Sequence, residues 1–368
     1  MGTGGSDFGT PVPDGFYQME DLDRGDVYLD TPALDGTRLW RADLGPNIRA
    51  GARDTQFVVQ DFDGDGKAEL AVKTAPGTRD GTGAFLSRGR AASDDDSAVY
   101  RNPGGYILTG PEDFTGFSGE TGAEIGTVAF DVPRGTVSAW GDGCGNRVDR
   151  FLATAAFGAE GKPHFVMARG YYTRTTPLTS WGLVDGKIVQ DWKFDSNATP
   201  KDGDGDNYTG QGSHSMAIAN VDDDPGQEVM CGAMAVDHDG QDLCSTGYGH
   251  GGAEHVGDLV SSRPGLEFFM CNESWSRNVV VERRWPARGR DGRQPRRQTQ
   301  FTELLDPLGR RRVPRTRERD RHERVRWRHA PKLRLVCGEQ TAYSQPPHVG
   351  FHMGRGMVTP PKPDIHVR

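Results

Sequence analysis

Residues 61–69 read DFDGDGKAE. Asp61, Asp63 and Asp65 place carboxylate oxygens on alternate residues, Gly64 and Gly66 let the backbone turn tightly, and Glu69 returns to close the ring. A short loop surrounds a hard cation such as calcium in this way, since calcium takes six to eight oxygen ligands. The flanks QFVVQ and ELAVKT are β-branched and apolar, and predict two strands joined by the loop. Helical flanks and the longer loop of an EF-hand are both missing. One isolated copy would serve equally well as a solvated Asp/Gly turn, so recurrence decides.

The loop recurs. Asn220, Asp222, Asp224 and Glu228 stand at the offsets of Asp61, Asp63, Asp65 and Glu69, although Pro225 and Gly226 replace part of the DGDG core. HVGDLVSSRPGLEFF keeps Asp258 and Glu267, with Val260 where a second acid is expected. WGDGCGNRVDRFLATAAF brings Asp142, Asn146 and Asp149 to a turn ahead of an apolar strand, and DGDGDNYTG offers Asp202, Asp204 and Asp206. The copies stand roughly forty residues apart, or near multiples of that, with several strands in each repeat, which points to a β-propeller or similar radial array. The expected fold is therefore all-β, with each acidic loop pinning one blade and calcium offsetting the repulsion among its carboxylates.

Composition agrees with many short strands. The 368 residues include 51 Gly and 23 Pro, with 34% hydrophobic content, which suits turns and argues against a helical protein. No apolar run approaches a membrane span, and MGTGGSDFGT has neither a basic n-region nor an apolar h-region, so no signal peptide is expected in this chain. The five cysteines (Cys144, Cys231, Cys244, Cys271, Cys337) lack paired metal spacing; buried free thiols are expected, with a Cys231–Cys244 cross-link between neighbouring strands as the one alternative.

The net charge of -8 hides a split. Residues 1–276 are acidic, whereas about half of all Lys and Arg fall in the final quarter. From Val281 to Arg334 roughly one-third of the residues are arginine without a sustained strand or helix period. By composition this reads as disordered or polyanion-binding, but no nucleic-acid module accompanies it. Such text is also what a GC-rich coding region gives in a wrong reading frame. The expected organisation is a poorly matched N-terminal remnant over 1–24, propeller blades over 25–276, an aberrant or disordered segment over 277–336, a terminal propeller strand over 337–358 and a tail over 359–368.

Chemistry is sought outside the acidic loops. His214 lies in YTGQGSHSMAIA directly before a strand, and His250 lies in STGYGHGGAEHVGD with His255 close behind. Glycine around both lets the backbone approach a ligand, and either ring could ligate a metal, bind sugar hydroxyls or shuttle a proton. ARGYYTRTT holds Arg169, Tyr171, Tyr172 and Arg174 at strand spacing, suited to a sugar acid by stacking and carboxylate pairing, or alternatively core tyrosines beside a surface arginine. No nucleophile elbow, P-loop, dinucleotide fingerprint or zinc signature is present.

Taken together, GDVYLDTPALDGTRLWRADLGPNIRAGARDTQFVVQDFDGDGKAELAVKTAPGT, RGTVSAWGDGCGNRVDRFLA, MARGYYTRT, YTGQGSHS, STGYGHGGAEHVGDL, SRPGLE and TAYSQPPHVGFHMG resemble the rhamnogalacturonan lyases of polysaccharide lyase family 11. The resemblance runs from about Gly25 to Ser276 and resumes from about Cys337 to Gly354. It implies an eight-bladed β-propeller with several calcium ions, incomplete here, in a secreted, monomeric enzyme of pectin degradation. It also implies cleavage of the rhamnose to galacturonate linkage of rhamnogalacturonan I by β-elimination, with pectic polysaccharide as partner and neither nucleic acid nor membrane involved. His214 matches the histidine of the family's GQGNH motif, His250 that of its GHG motif, both in the active-site cleft and candidate metal ligands, and Tyr343 matches the tyrosine of AYNQPPH, a substrate contact. The family's catalytic arginine and lysine have no match between Ser276 and Tyr343, so an inactive copy is one expectation. The alternative is a non-catalytic calcium-stabilised propeller that binds carbohydrate or protein, and it lacks a reason for the motifs around His214 and His250.

Overall fold

The computed structural model describes residues 26–49, 53–172, 175–197, 208–222, 224–259, 265–273 and 278–282. Strands form where the β-branched and aromatic runs lie. β1 (Tyr28–Pro32) and β2 (Arg38–Asp43) make a hairpin; β3 (Phe57–Gln60), β4 (Glu69–Thr74), β5 (Asp113–Ser118) and β6 (Glu124–Ala129) make a four-stranded sheet. A second sheet holds β7 (Phe151–Phe157), β8 (Pro163–Arg169), β9 (Pro177–Val184) and β10 (Lys187–Asp195), and a third holds β11 (Ala217–Ala219), β12 (Glu228–Cys231), β13 (Met234–Val236) and β14 (Asp242–Ser245). β15 (Gly251–Gly257), β16 (Glu267–Asn272) and β17 (Asn278–Glu282) form the fourth. Within each sheet a strand pairs antiparallel with the next in sequence, so every sheet is a meander. Asp185 and Gly186, with φ of 49° and 69°, close the β9–β10 hairpin, where a two-residue turn asks for left-handed backbone at both positions.

The sheets pack face to face in chain order. On β4, Ala71 joins Phe114, Phe165 and Trp181 in one core, while Leu70 and Val72 join Trp40 and Phe117 in another. On β12, Val229 and Cys231 pack with Leu152, Val166 and Phe194 of the second sheet, and Met230 packs with Phe268 and Met270 of the fourth. The period-two alternation of a strand sends successive side chains to opposite faces, so an interior sheet serves two cores at once. Cys231 and Cys244 are buried thiols and Cys144 a half-buried one, none of them in a disulfide, as expected of thiols without metal spacing; Cys271, by contrast, is disulfide-bonded.

The stretch between β4 and β5 is long and polar in sequence, yet it is fastened. Leu86 and Ala91 are buried in it, and the Ser87 and Arg88 amides donate to the Glu124 carboxylate of β6 at 2.8 and 3.1 Å. Beneath it, Asp113 at the start of β5 faces the Asp94 carboxylate, and burial first, then Asp94, pushes Asp113 up to about 7. The folded state therefore holds a proton that the unfolded chain releases. The resulting stabilisation is full below the ordinary value of 3.8 and is lost as pH rises through about 7. Asp113→Asn should leave stability unchanged near pH 4 and raise it near pH 8, by about 2–4 kcal/mol. Thermal melts across that window check it, and an unchanged pH slope in the variant would refute the shared proton.

Candidate functional site

Three of the acidic loops join the first two strands of a sheet, and these three share one bond. The Phe62 amide donates to Glu69 Oε2 at 2.8 Å, the Val221 amide to Glu228 Oε2 at 2.5 Å, and the Leu259 amide to Glu267 Oε2 at 2.9 Å. In each copy the closing glutamate is buried at the head of the second strand and is turned back under the loop. In the first loop Asp61 accepts the Gly64 and Gly66 amides at 2.7 and 2.9 Å, with φ near +84° and +88° at those glycines. Ligand atoms of Asp61, Asp63 and Glu69 gather within 4.8 Å, whereas Asp65, exposed, caps the Lys67 amide at 2.8 Å. Burial first, then the backbone bond opposing it and the three neighbouring aspartates, leaves Glu69 above the usual carboxylate range. Glu228 is pushed up to about 8 by burial and by Asp222, Asp224 and Asp237, against the Val221 bond.

Asp142, Asn146 and Asp149 are not brought together as one ligand set. Asp142 accepts the amides of Cys144, Gly145, Asn146 and Arg147 at 3.1, 2.8, 3.1 and 2.7 Å, which is how an aspartate builds a turn. The Asn146 side-chain Oδ1 accepts from Arg150 at 3.0 Å, and Asp149 pairs with Arg169 at 3.2 Å. Asp258 is exposed beside its buried partner Glu267. Asp202, Asp204, Asp206, Arg174 and Tyr343 lie outside the described residues.

His214 and His250, thirty-six positions apart, meet. Ser213 bridges to Gly251, the His214 amide donates to Gly251 O at 3.1 Å, and the Gly251 amide donates to Gly212 O at 3.3 Å. This sets the entries to β11 and β15 side by side. The glycines make room for packed protein rather than for a ligand. A Cβ on Gly212 would stand 2.6 Å from Tyr171 O, and one on Gly251 would stand 2.7 Å from Met270 Sδ. The two rings are 4.8 Å apart between centroids, and Tyr172 lies 5.1 Å from His214 and 5.2 Å from His250. Tyr171 closes the other side of His214 at 5.1 Å.

The pair is more enclosed than its glycine neighbours suggest. His250 is buried, with Nδ1 2.7 Å from Gly212 O and Nε2 3.6 Å from Glu273 Oε2. His214 is half-buried, yet both its ring nitrogens are sealed from solvent with no hydrogen-bond partner among the described residues. Desolvation, then His250, Arg53 and Arg150, holds its imidazole well below the usual histidine range, so it is neutral near pH 7. Arg147 and Arg150 stand over the Tyr172 ring at 5.0 and 5.9 Å. His214, His250 and Glu273 offer ligand atoms within 4.8 Å of one another. Glu273, Arg147 and Arg150 carry no sequence signal that would have placed them here. Arg169, read with Tyr172 as a sugar-acid contact, is instead fully buried in an ion-pair network with Glu112 and Asp149.

Against known proteins, the family model "Rhamnogalacturonan lyase family 11, C-terminal domain" matches residues 20–291. The chain is similar to rhamnogalacturonan exolyase YesX of Bacillus subtilis (strain 168), 53% identical over 249 residues, covering 68% of this chain and 39% of YesX. It is 51% identical over 249 residues to rhamnogalacturonan endolyase YesW of the same organism, covering 68% of this chain and 38% of YesW. Among solved structures, Bacillus licheniformis rhamnogalacturonan lyase PL11 superposes with a TM-score of 0.61 at 54% identity, over 67% of this chain and 40% of that one. The chain thus spans about two fifths of the length of the curated relatives it matches.

Proposed function

This chain belongs to rhamnogalacturonan lyase family 11, and from that premise we propose that it acts on rhamnogalacturonan I by β-elimination at the bond between rhamnose and galacturonate. The observation that carries the reading is the cluster of His214, His250 and Tyr172 with Arg147 and Arg150 beside it. A uronate is an anion with a flat sugar face. Arginines draw its carboxylate and an aromatic ring receives the sugar. A neutral imidazole with unpartnered nitrogens is left to accept a hydroxyl hydrogen bond or a proton.

In the reaction a base removes the proton on the carbon alpha to the uronate carboxylate. The electron pair of that C–H bond forms a C=C bond, and the bond from the neighbouring carbon to the glycosidic oxygen breaks. The departing oxygen takes up a proton, no water enters, and an unsaturated uronate ends the new chain. Fixed positive charge near the carboxylate makes that proton removable. Incubation with rhamnogalacturonan should raise ultraviolet absorbance as the conjugated double bond forms. Binding without any rise would leave a carbohydrate-binding module in its place, and new reducing ends without absorbance would mean hydrolysis.

Successive meander sheets stacked in chain order support reading them as blades of a β-propeller. Calcium fits the first acidic loop, whose donors are all oxygens and whose buried Glu69 sits among three aspartates. Asp61, Asp63 and Glu69 would hold it there, where it would offset their repulsion. The described residues around His214 and His250 are poorer in oxygen than calcium asks for. Binding to the folded state alone should add about 2.7 kcal/mol at roughly a hundredfold excess over the dissociation constant. Melts with calcium and with chelator check this, and Asp61→Asn with Glu69→Gln should abolish the difference at this loop; identical melts in wild type would refute it. Secretion and a monomeric state belong to the same proposal.

A further inference from the structure

Glu254 is an acid where the fold asks for an apolar residue. It stands opposite Met270 in the β15–β16 ladder, and directly opposed residues share a face. Met270 packs on that face with Met230, Ala233, Ala235 and Phe268, and Glu254 is 2% exposed. Burying a carboxyl in such a core is costly unless its hydrogen bonds compensate.

Two bonds lead from Glu254 to the histidine pair. Its Oε2 accepts the Gly232 amide at 2.6 Å, and its own amide donates to Ser215 Oγ at 3.0 Å. Ser215 follows His214 in the sequence. Gly232 lies in the turn between β12 and β13 with φ of 68°, and a Cβ there would stand 2.0 Å from Gln211 O. That turn grips Gln211. The Ala233 amide donates to Gln211 O at 2.7 Å, and Gln211 Oε1 accepts the Gly249 amide at 2.8 Å. Gly249 precedes His250, and Gly212, beside Gln211, supplies the carbonyl that receives His250 Nδ1. Glu254 thus holds a turn that reaches the strand entries carrying both rings.

The second oxygen, Oε1, is sealed from solvent and hydrogen-bonded to nothing among the described residues, with Ser213 and Ala217 as its polar neighbours. Burial, opposed by the Gly232 bond, raises Glu254 well above the usual carboxylate range, and no cation is among the groups that act on it. The buried Cys231 thiol of β12 faces it and is itself kept protonated by burial and by Glu254. Near pH 7 the side chain is therefore a neutral acid. A leucine would fill the space without leaving an oxygen unanswered, so packing alone does not explain the glutamate.

We infer that Glu254 is a positioning residue for the histidine pair, tying the β12–β13 turn to the entries of β11 and β15 so that the rings of His214 and His250 keep their 4.8 Å spacing. The effect on turnover rests on the proposed function; the effect on the rings does not.

The test compares Glu254→Gln with Glu254→Leu in the full chain carrying labelled histidine, with His214→Leu and His250→Ala assigning the two ring signals by nuclear magnetic resonance. Glutamine keeps a neutral oxygen for the Gly232 amide, whereas leucine keeps the volume and loses the acceptor. In Glu254→Gln both ring signals and kcat on rhamnogalacturonan should stay at their wild-type values. In Glu254→Leu both ring signals should move in a chain that still melts cooperatively, and kcat should fall by about 10- to 100-fold with KM little changed, the scale for a small misplacement of reacting groups. Unmoved rings in Glu254→Leu overturn the inference, as does a glutamine variant that shifts them as far as leucine does. Should leucine prevent folding, Ser215→Ala cuts the other tie at a half-buried position. A shifted His214 signal then supports the inference and an unshifted one overturns it. A wild type without lyase activity removes the proposed reaction and leaves the ring signals to decide on Glu254.

Discussion

Replacing Glu112 with alanine is expected to cost about 3–5 kcal/mol of folding stability, because it strands buried cations. Glu112 precedes β5 and its side chain is 6% exposed. It pairs with Lys73 of β4 at 3.2 Å, with Arg134 at 2.9 Å and with Arg169 of β8 through both oxygens at 2.9 Å. Asp149 then answers Arg169 at 3.2 Å and Arg134 at 3.8 Å. With Glu112 gone, Lys73 loses this ion pair, while Arg134 and Arg169 keep only Asp149 of the two carboxylates. The network fastens the first sheet to the second, so the loss falls on the joint between them and not on one surface pair.

The same pairing fixes the pH dependence. The Coulombic pull of Lys73, Arg169 and Arg134 outweighs burial and holds Glu112 well below its ordinary 4.5. A depressed carboxylate contributes stability that is present above the unfolded value and is lost as pH falls below it. Wild type should therefore weaken as the solution is acidified below about pH 4.5, and Glu112→Gln should show a flatter acid limb. At neutral pH the alanine variant should melt roughly 10 °C lower, taking about 2–4 °C per kcal/mol for a domain of this size. A variant that melts within a degree or two of wild type would show that the cations are solvated.

Glu112 shows what sequence reading reaches in this chain and what it does not. The acidic loops were legible because their chemistry is local. Alternating carboxylates, a tight glycine turn and a returning glutamate fit in nine residues, and Asp61 and Glu69 do flank the entry to β4. The strands were legible for a similar reason, since period-two alternation is visible one strand at a time. Glu112 sits in an unremarkable GPEDF, and only the packing of the second sheet against β4 and β5 reveals its three partners. Arg169 was misjudged for the same cause: its run with Tyr171 and Tyr172 looks like a binding surface, but strand alternation turns Arg169 into the interior. Tyr172, three residues on, is left beside the histidines.

The histidine pair was half legible. Glycine flanks drew attention to His214 and His250, yet Gly212 and Gly251 lie tight against Tyr171 and Met270, and the bridge from Ser213 to Gly251 is what joins the rings. Glu273 reaches the site across the β15–β16 ladder, its amide donating to His250 O at 3.0 Å, and Arg150 enters from the second sheet; no local window contains either pairing.

His214→Leu should abolish activity while raising stability. A buried polar group without partners costs about 1–3 kcal/mol, and both ring nitrogens of His214 are in that condition. Leucine removes the two orphaned nitrogens and can still pack against Tyr171 and Tyr172, the neighbours of the present ring. Folding alone gives no reason for histidine at this position, whereas a substrate or ion that pairs with the nitrogens does. Turnover of rhamnogalacturonan should fall by about 10²-fold or more, the scale for losing a group that stabilises charge or moves a proton in the transition state. The melting temperature should meanwhile rise by a few degrees. The two readouts separate the explanations. If leucine lowers both stability and turnover, His214 is a packing residue whose loss disturbs the site indirectly. If stability rises and turnover is untouched, the imidazole has no part in the reaction, and the proposed role of this cluster falls with it.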